Sequence, residues 1–149
     1  VWDADQPHAG FSDADKTWLP VKEPQSARSV MQQVEGNDST LHGWRELLAF
    51  RKAKAALVSG KTTFIDLPEP LFAFTRADAD SGEHVACIYN LSPEPHVLRV
   101  NGGTQTGPSA SAQLTGTELN LGPNGFAYFE APLSEPITIA AGESSNAAI

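Results

Sequence analysis

The chain has 149 residues, of which 40% are hydrophobic, and a formal net charge of −8. That apolar fraction supports a packed core and excludes a globally disordered chain. The charge repels duplex nucleic acid and anionic lipid, so no nucleic-acid and no membrane partner is expected, whereas a neutral ligand such as a sugar is compatible with it.

Residues 1–37 are read as irregular. Pro7, Pro20 and Pro24 punctuate them, Gly10 and Gly36 add flexible points, and no helical or strand period lasts more than a few residues. The large apolar members Trp2, Phe11, Trp18, Leu19 and Val21 are expected to pack on a partner, because a solvated tail has little use for two tryptophans. The opening Val1-Trp2-Asp3 lacks an initiator Met and any basic-then-apolar leader, and reads as the interior of a longer sequence.

Residues 38–58 predict one amphipathic helix. Asp38 or Ser39 can cap its start. Leu41, Trp44, Leu48 and Ala55 recur at helical steps with Leu47 widening the stripe, and Arg51, Lys52 and Lys54 complement the dipole in the later turns. Gly60 is the expected stop. A single helix cannot bury this stripe alone, so it must dock on other structure.

Beyond Gly60, strand-forming runs occupy 62–67, 71–75, 84–91, 96–100, 113–121 and 126–131, with turn residues between them. Such spacing predicts an antiparallel β-sandwich. Residues 136–140 are a candidate last strand, and 141–149 a fraying, flexible tail. Cys87, the one cysteine, lies in the apolar run Val85-Ala86-Cys87-Ile88-Tyr89 and is expected to be a buried, inert thiol. A chain without disulfides fits a reducing compartment, the cytoplasm. No apolar run reaches the roughly 20 residues of a membrane span.

Several motifs carry a resemblance. Val1-Trp2-Asp3-Ala4, Pro7-His8-Ala9-Gly10-Phe11-Ser12 and Trp18-Leu19-Pro20-Val21 are similar to the "PMxWD…PxAGFS…PWLPV" stretch that follows the last barrel strands of glycoside hydrolase family 13 α-glucosidases and oligo-1,6-glucosidases. Asp38-Ser39 and the run from Leu41 to Lys54 resemble that family's "DPxSlLxxYRxLlxLRK" helix, and Ala55-Ala56-Leu57 with Gly60 its "PALxxG" ending. Phe72-Ala73-Phe74-Thr75-Arg76 and Ile88-Tyr89-Asn90-Leu91-Ser92 look like its "vlaFxR" and "vvxNfS" strands.

The resemblance implies a mainly β chain in three parts. Residues 1–59 would be the end of a (β/α)8 catalytic barrel, a long loop plus its last helix. Residues 60–140 would be a C-terminal antiparallel β-sandwich, and 141–149 the tail. It also implies a parent enzyme that hydrolyses α-glucosidic bonds of oligosaccharides or α-glucosides by a retaining mechanism. That chemistry needs two carboxyl groups flanking the scissile bond, carried at the C-terminal ends of barrel strands. No position here matches those motifs, and the sugar-contacting Arg of the family's "RTPM" would fall before Val1. The segment alone is therefore expected to be inactive, with no catalytic residue, no cofactor and no metal site. Asp3, His8 and Phe11 are the pocket-loop candidates for contact with substrate. A transglycosylase or sucrose isomerase shares this C-terminal architecture.

Other chemistry is weaker. Asp3 with Asp5, and Asp13 with Asp15, lack the remaining ligands of a calcium loop. Asp78-Ala79-Asp80-Ser81-Gly82 reads as a turn between strands. A stand-alone carbohydrate-binding domain would need exposed aromatics in a row. Phe72 with Phe74, and Phe126 with Tyr128, instead alternate as core positions would.

Overall fold

A computed structural model describes residues 1–36 and 38–142. They divide into two units, Val1–Leu48 and Ala49–Ile149.

The first unit is less irregular than its sequence suggests. It contains α1 (Glu23–Ser26) and α2 (Val30–Glu35), in a stretch where no helix was expected. Each is held by local capping. Gln25 accepts from the Lys22 N–H at 2.9 Å, and Ser29 is the N-cap of α2, its Oγ accepting from the Gln32 N–H. Elements of one or two turns are too short for a period to register. The α2 start is also tied to the chain start, because the Val30 and Met31 N–H groups donate to the carbonyls of Val1 and Trp2. That satisfies donors which a helix N-terminus leaves free.

The predicted single helix is two. α3 covers Thr40–Ala53 and α4 covers Ala55–Ser59. Ser39 acts as the N-cap of α3, its Oγ accepting from the His42 N–H at 3.2 Å. Along the expected stripe Leu41 and Leu47 are half-buried, whereas Trp44 and Leu48 are exposed. The break lies at Lys54, whose backbone is extended (φ −119°, ψ 110°). Lys54 pairs with Glu130, and the Ala56 N–H donates to Glu83 Oε2 at 3.0 Å. Both partners come from strands, so a contact distant in sequence turns the helix. Gly60 ends α4 as expected, but in extended backbone (φ −61°, ψ 157°) and not as a left-handed cap. Glycine is required there by crowding, since a Cβ would sit 2.5 Å from the Ala56 carbonyl oxygen and 2.8 Å from that of Ala77.

Among the described residues seven strands follow: β1 (Lys61–Ile65), β2 (Leu71–Ala77), β3 (Glu83–Asn90), β4 (His96–Asn101), β5 (Thr104–Thr115), β6 (Glu118–Pro132) and β7 (Thr138–Ala141). All pair antiparallel in one sheet of order β1-β2-β3-β6-β4-β7, with β5 also on β6. The run 113–121, read as one strand, is the end of β5, a turn at Gly116-Thr117 and the start of β6. One glycine among strand formers gave that hairpin little signal. Residues 104–112 and 122–125, read as non-strand, are carried into β5 and β6 by pairing, which overrides weak strand propensity. β6 changes partner along its length. Glu118 to Leu121 pair with β4, and Phe126 to Pro132 pair with β3. Pro123, Asn124 (φ 52°) and Gly125 lie at the switch, and the sheet curls there. The last strand also extends one residue past its expected end, and the Gly142 N–H donates to the Val97 carbonyl. The expected tail from 143 onward lies outside the described residues.

The core lies on one face of this curled sheet. Ala73, Ala86, Ile88, Ala127 and Phe129 meet Leu98, Val100, Leu119, Leu121, Ile137 and Ile139. Small side chains on β2, β3 and β6 let the leucines approach closely. Cys87 is 1% exposed and points away from this cluster, and burial pushes its thiol up to about 12, as expected of an inert cysteine. At the rim of the core Asn90 is 2% exposed. Its Nδ2 donates to the carbonyls of Glu94 (2.6 Å) and Gly122 (2.8 Å), and its Oδ1 accepts from the Ser92 N–H and Oγ. The "NfS" strand motif is thus a structural device that pins the β3–β4 connection to β6.

The turn at Asp78 to Gly82 forms as read. Gly82 has φ +73° and its N–H donates to the Asp78 carbonyl, while the Ser81 N–H donates to Asp78 Oδ1 at 2.8 Å. That bond is the main reason the Asp78 carboxyl lies below its ordinary value, with the Ser81 and Ser59 hydroxyls adding to it. A folded-state value below the unfolded one stabilises above the ordinary aspartate range, and the contribution fades as pH falls through that range. Asp78→Ala should therefore melt lower than wild type at pH 7, with the gap narrowing as the pH is taken toward 3. A gap constant with pH would contradict this account.

Candidate functional site

The three candidates, Asp3, His8 and Phe11, lie in the first unit on one anchored loop. The Trp2 and Asp3 N–H groups both donate to the Ala9 carbonyl, at 3.0 and 3.1 Å. Between them the chain bends through three consecutive left-handed residues: His8 (φ 50°), Ala9 (φ 54°) and Gly10 (φ 64°). Only the glycine adopts this conformation freely, so His8 and Ala9 are held at a cost of about 1–2 kcal/mol each. Buried Ala9, 6% exposed, and the paired N–H donors hold the bend closed. A Cβ placed on Gly10 would lie 3.5 Å from the Asp3 backbone nitrogen and 3.5 and 3.6 Å from the Cβ atoms of Trp2 and Asp3, ordinary contact distances.

The loop therefore brings Asp3 and the His8 bend together. Asp3 Oδ1 accepts from the Asp5 N–H at 3.0 Å, which holds the turn that follows. His8 is half-buried, and its carbonyl accepts from the Phe11 N–H. Phe11 points elsewhere. It is 67% exposed and lines an open hollow of about 430 Å³ with Val1, Leu19, Val21, Gln25 and Arg28. The Arg28 Nε donates to the Pro24 carbonyl. The hollow is apolar with an amide and a guanidinium at its edge, and no carboxylate lines it. It can seat an apolar or neutral group, but holds no acid/base pair. Trp18 is 96% exposed and Trp2 59%.

Among the described residues no group of three or more His, Cys, Asp or Glu is placed to hold a metal ion, and no helix is long and apolar enough to cross a membrane. Sequence reading missed the left-handed run, for which Gly10 alone was a signal. It also misplaced the aromatics of the sheet. Of Phe72, Phe74, Phe126 and Tyr128, Tyr128 is buried as expected, at 4% exposed, whereas Phe72 is 39% exposed and Phe74 and Phe126 are half-buried. They alternate with the core positions Ala73, Ala127 and Phe129 and project from the opposite face. Both faces of these strands are apolar, so alternation could not choose between them.

Residues 1–60 match the family model described as alpha amylase, catalytic domain. That stretch, 60 of the 149 residues, is similar to the α-amylase family. A probable alpha-glucosidase of Rhizobium meliloti (strain 1021) is 38% identical over 94 residues, 63% of this chain and 16% of that protein. A glucan 1,6-alpha-glucosidase of Streptococcus dysgalactiae subsp. equisimilis is 30% identical over 97 residues, 65% of this chain and 18% of that protein. The chain thus spans about a sixth of the length of the curated relatives it matches. Among solved structures, the alpha-glucosyl transfer enzyme XgtA superimposes with a TM-score of 0.73 at 29% identity, covering 87% of this chain and 24% of XgtA. The chain is mainly β, with a curled antiparallel sheet, as the resemblance led one to expect.

Proposed function

We propose that this chain is the closing part of an α-glucosidase. In this reading, residues 1–59 complete the catalytic (β/α)8 barrel, residues 60–140 form a C-terminal β domain whose curled sheet acts as a sandwich, and 141–149 are a tail. The parent enzyme cleaves α-glucosidic bonds of small oligosaccharides or α-glucosides, with retention, using two carboxylates that lie outside these 149 residues. It works in the cytoplasm. The observation that carries the reading is the match of residues 1–60 to the family's catalytic domain, in a chain that covers only 16% of its Rhizobium relative.

Within this reading the strained His8–Ala9–Gly10 bend borders the mouth of the pocket. Backbone strain of this kind collects where a site must be preshaped. Asp3 and His8 would fix the loop against the sugar, and Phe11 would offer an apolar wall. A second reading, glucosyl transfer instead of hydrolysis, is favoured by the likeness to XgtA. Both readings leave this segment without the reacting carboxylates. The purified chain should release no p-nitrophenol from p-nitrophenyl α-glucoside above the buffer rate. Turnover that is lost on replacing an Asp or Glu of this chain would place a complete active site here and end the proposal.

A further inference from the structure

Two asparagines of this chain are followed by glycine, Asn101-Gly102 and Asn124-Gly125. Glycine has no Cβ to hold its nitrogen away from the preceding side chain, so that nitrogen can reach the asparagine Cγ wherever the backbone is free to turn. Both asparagine side chains are exposed, so the backbone decides between them.

Asn124-Gly125 is locked. The Asn124 N–H donates to the Ser92 carbonyl at 2.9 Å, and Gly125 is buried within β6. A Cβ on Gly125 would stand 2.6 Å from the Ser111 carbonyl oxygen, 3.0 Å from that of Gly122 and 3.1 Å from that of Ala110. A rotation that brought the Gly125 nitrogen to the Asn124 side chain would drive the glycine into that close-packed wall. Asn101-Gly102 lies at an end instead. Asn101 and Thr138 are the last pair of the β4–β7 ladder, and β7 is an edge strand of four residues. Gly102 and Gly103 follow in left-handed backbone, with φ 80° and 75°, outside the strands. Among the described residues the Gly102 N–H donates to no backbone carbonyl. The atoms nearest a Cβ placed on Gly102 belong to Pro136 and Ile137, which lead into the short edge strand. Ends of this kind open locally far more readily than the middle of a sheet.

We infer that Asn101 is a site of self-modification, where the chain converts its own side-chain amide into an isoaspartyl linkage, and that Asn124 is protected from the same reaction. The Gly102 nitrogen gives its proton to base in solvent and bonds Asn101 Cγ. The Cγ–Nδ2 bond breaks, and the amide takes up a proton and leaves as ammonia. Water then opens the succinimide ring. Attack at Cγ breaks its bond to the Gly102 nitrogen and leaves aspartate. Attack at the Asn101 backbone carbonyl carbon breaks the original peptide bond and leaves isoaspartate, with the chain running on through Cβ and Cγ. The sum is amide plus water going to carboxylate plus ammonium, with no redox change. The isoaspartyl form carries one more backbone carbon and one more negative charge. It falls where there is little room. A Cβ on Gly103 would already sit 3.1 Å from Ile137 Cδ1, and Ile137 is 6% exposed in the core. The longer backbone therefore unseats Ile137 and loosens β7. The inference is independent of the proposed function.

The test incubates the 149-residue chain at pH 8.5, once folded, with its β circular dichroism as the check, and once in urea. Cleavage after Glu118 puts the two asparagines on separate peptides. Mass spectrometry then follows each, with fragmentation that separates isoaspartate from aspartate. In urea both should convert at similar rates. In the folded chain Asn101 should convert at close to its urea rate, and Asn124 severalfold more slowly than in urea. Protection of Asn101 by folding, or equal conversion at the two sites in the folded chain, overturns the inference. Melting reads the consequence. The isoaspartyl fraction, separated by ion exchange, should melt several degrees below fresh protein. Asn101→Gln closes such a ring far more slowly and should keep its melting temperature through the same incubation. Asn101→Asp carries the charge without the extra carbon and should melt within about a degree of wild type. An isoaspartyl fraction that melts like Asn101→Asp would leave the modification standing and overturn the loosening of β7.

Discussion

Phe129→Ala is expected to destabilise the β unit by about 3–5 kcal/mol, the usual range for emptying a buried aromatic site. Phe129 is 1% exposed and is the largest fully buried side chain. It stands on β6 between Ala86 of β3 and Gln105 of β5 in register, so the strands beside it offer little bulk with which to refill the space. Domains of this size hold only about 5–15 kcal/mol in total, so the substitution should remove a large share of the stability. Urea unfolding followed by circular dichroism reads it, with an unchanged slope showing that the same unit unfolds. The control is Phe64→Ala, on the other face and 69% exposed, which should cost far less. Equal losses for the two would mean that the core has been assigned to the wrong face.

Asn90→Asp should cost about 3–5 kcal/mol at pH 7, as leaving a buried charge without a partner does. The substitution is nearly isosteric, so packing is not the cause. The Asn90 Nδ2 donates to two carbonyl oxygens, and a carboxylate oxygen in its place would face both with nothing to give. Burial and those oxygens both raise the introduced carboxyl in the folded state. Its folded value then lies above its unfolded value, so the folded state binds the proton more tightly. The deficit relative to wild type should therefore shrink as pH falls through the carboxylate range and grow as pH rises. Urea midpoints of both proteins at pH 4.5 and pH 7.5 decide this. The same deficit at both pH values would show that Asn90 acts by shape and not as a donor.

The order of events along this chain was legible in its residues: a loop, a helix ending at Gly60, then a β region. These follow from local chemistry. Ser39 caps, Gly60 stops, and Asp78 to Gly82 turn through bonds among close neighbours. The sequence also carried the resemblance to the family, because "AGFS" at Ala9 to Ser12 and the helix from Leu41 are contiguous motifs. Its candidate residues Asp3 and His8 are brought onto one closed bend, a closeness that neighbours in sequence can supply.

Tertiary structure decided the rest. The break at Lys54 depends on Glu130 and Glu83, which lie 76 and 29 residues away in sequence. β5 exists because β6 pairs with it, not because Gly107, Pro108 and Ser109 favour strands. The choice of core face was the largest gap. Strand alternation separates two faces but names neither, and here Phe72, Phe74 and Tyr128 compete with Ala73, Ala127 and Phe129. The curl at Pro123 to Gly125 brings Leu98, Leu119 and Leu121 over the alanines, and small side chains are what closely packed layers require. That long-range approach left these aromatics on the opposite face of the sheet, Tyr128 buried there and Phe72 exposed.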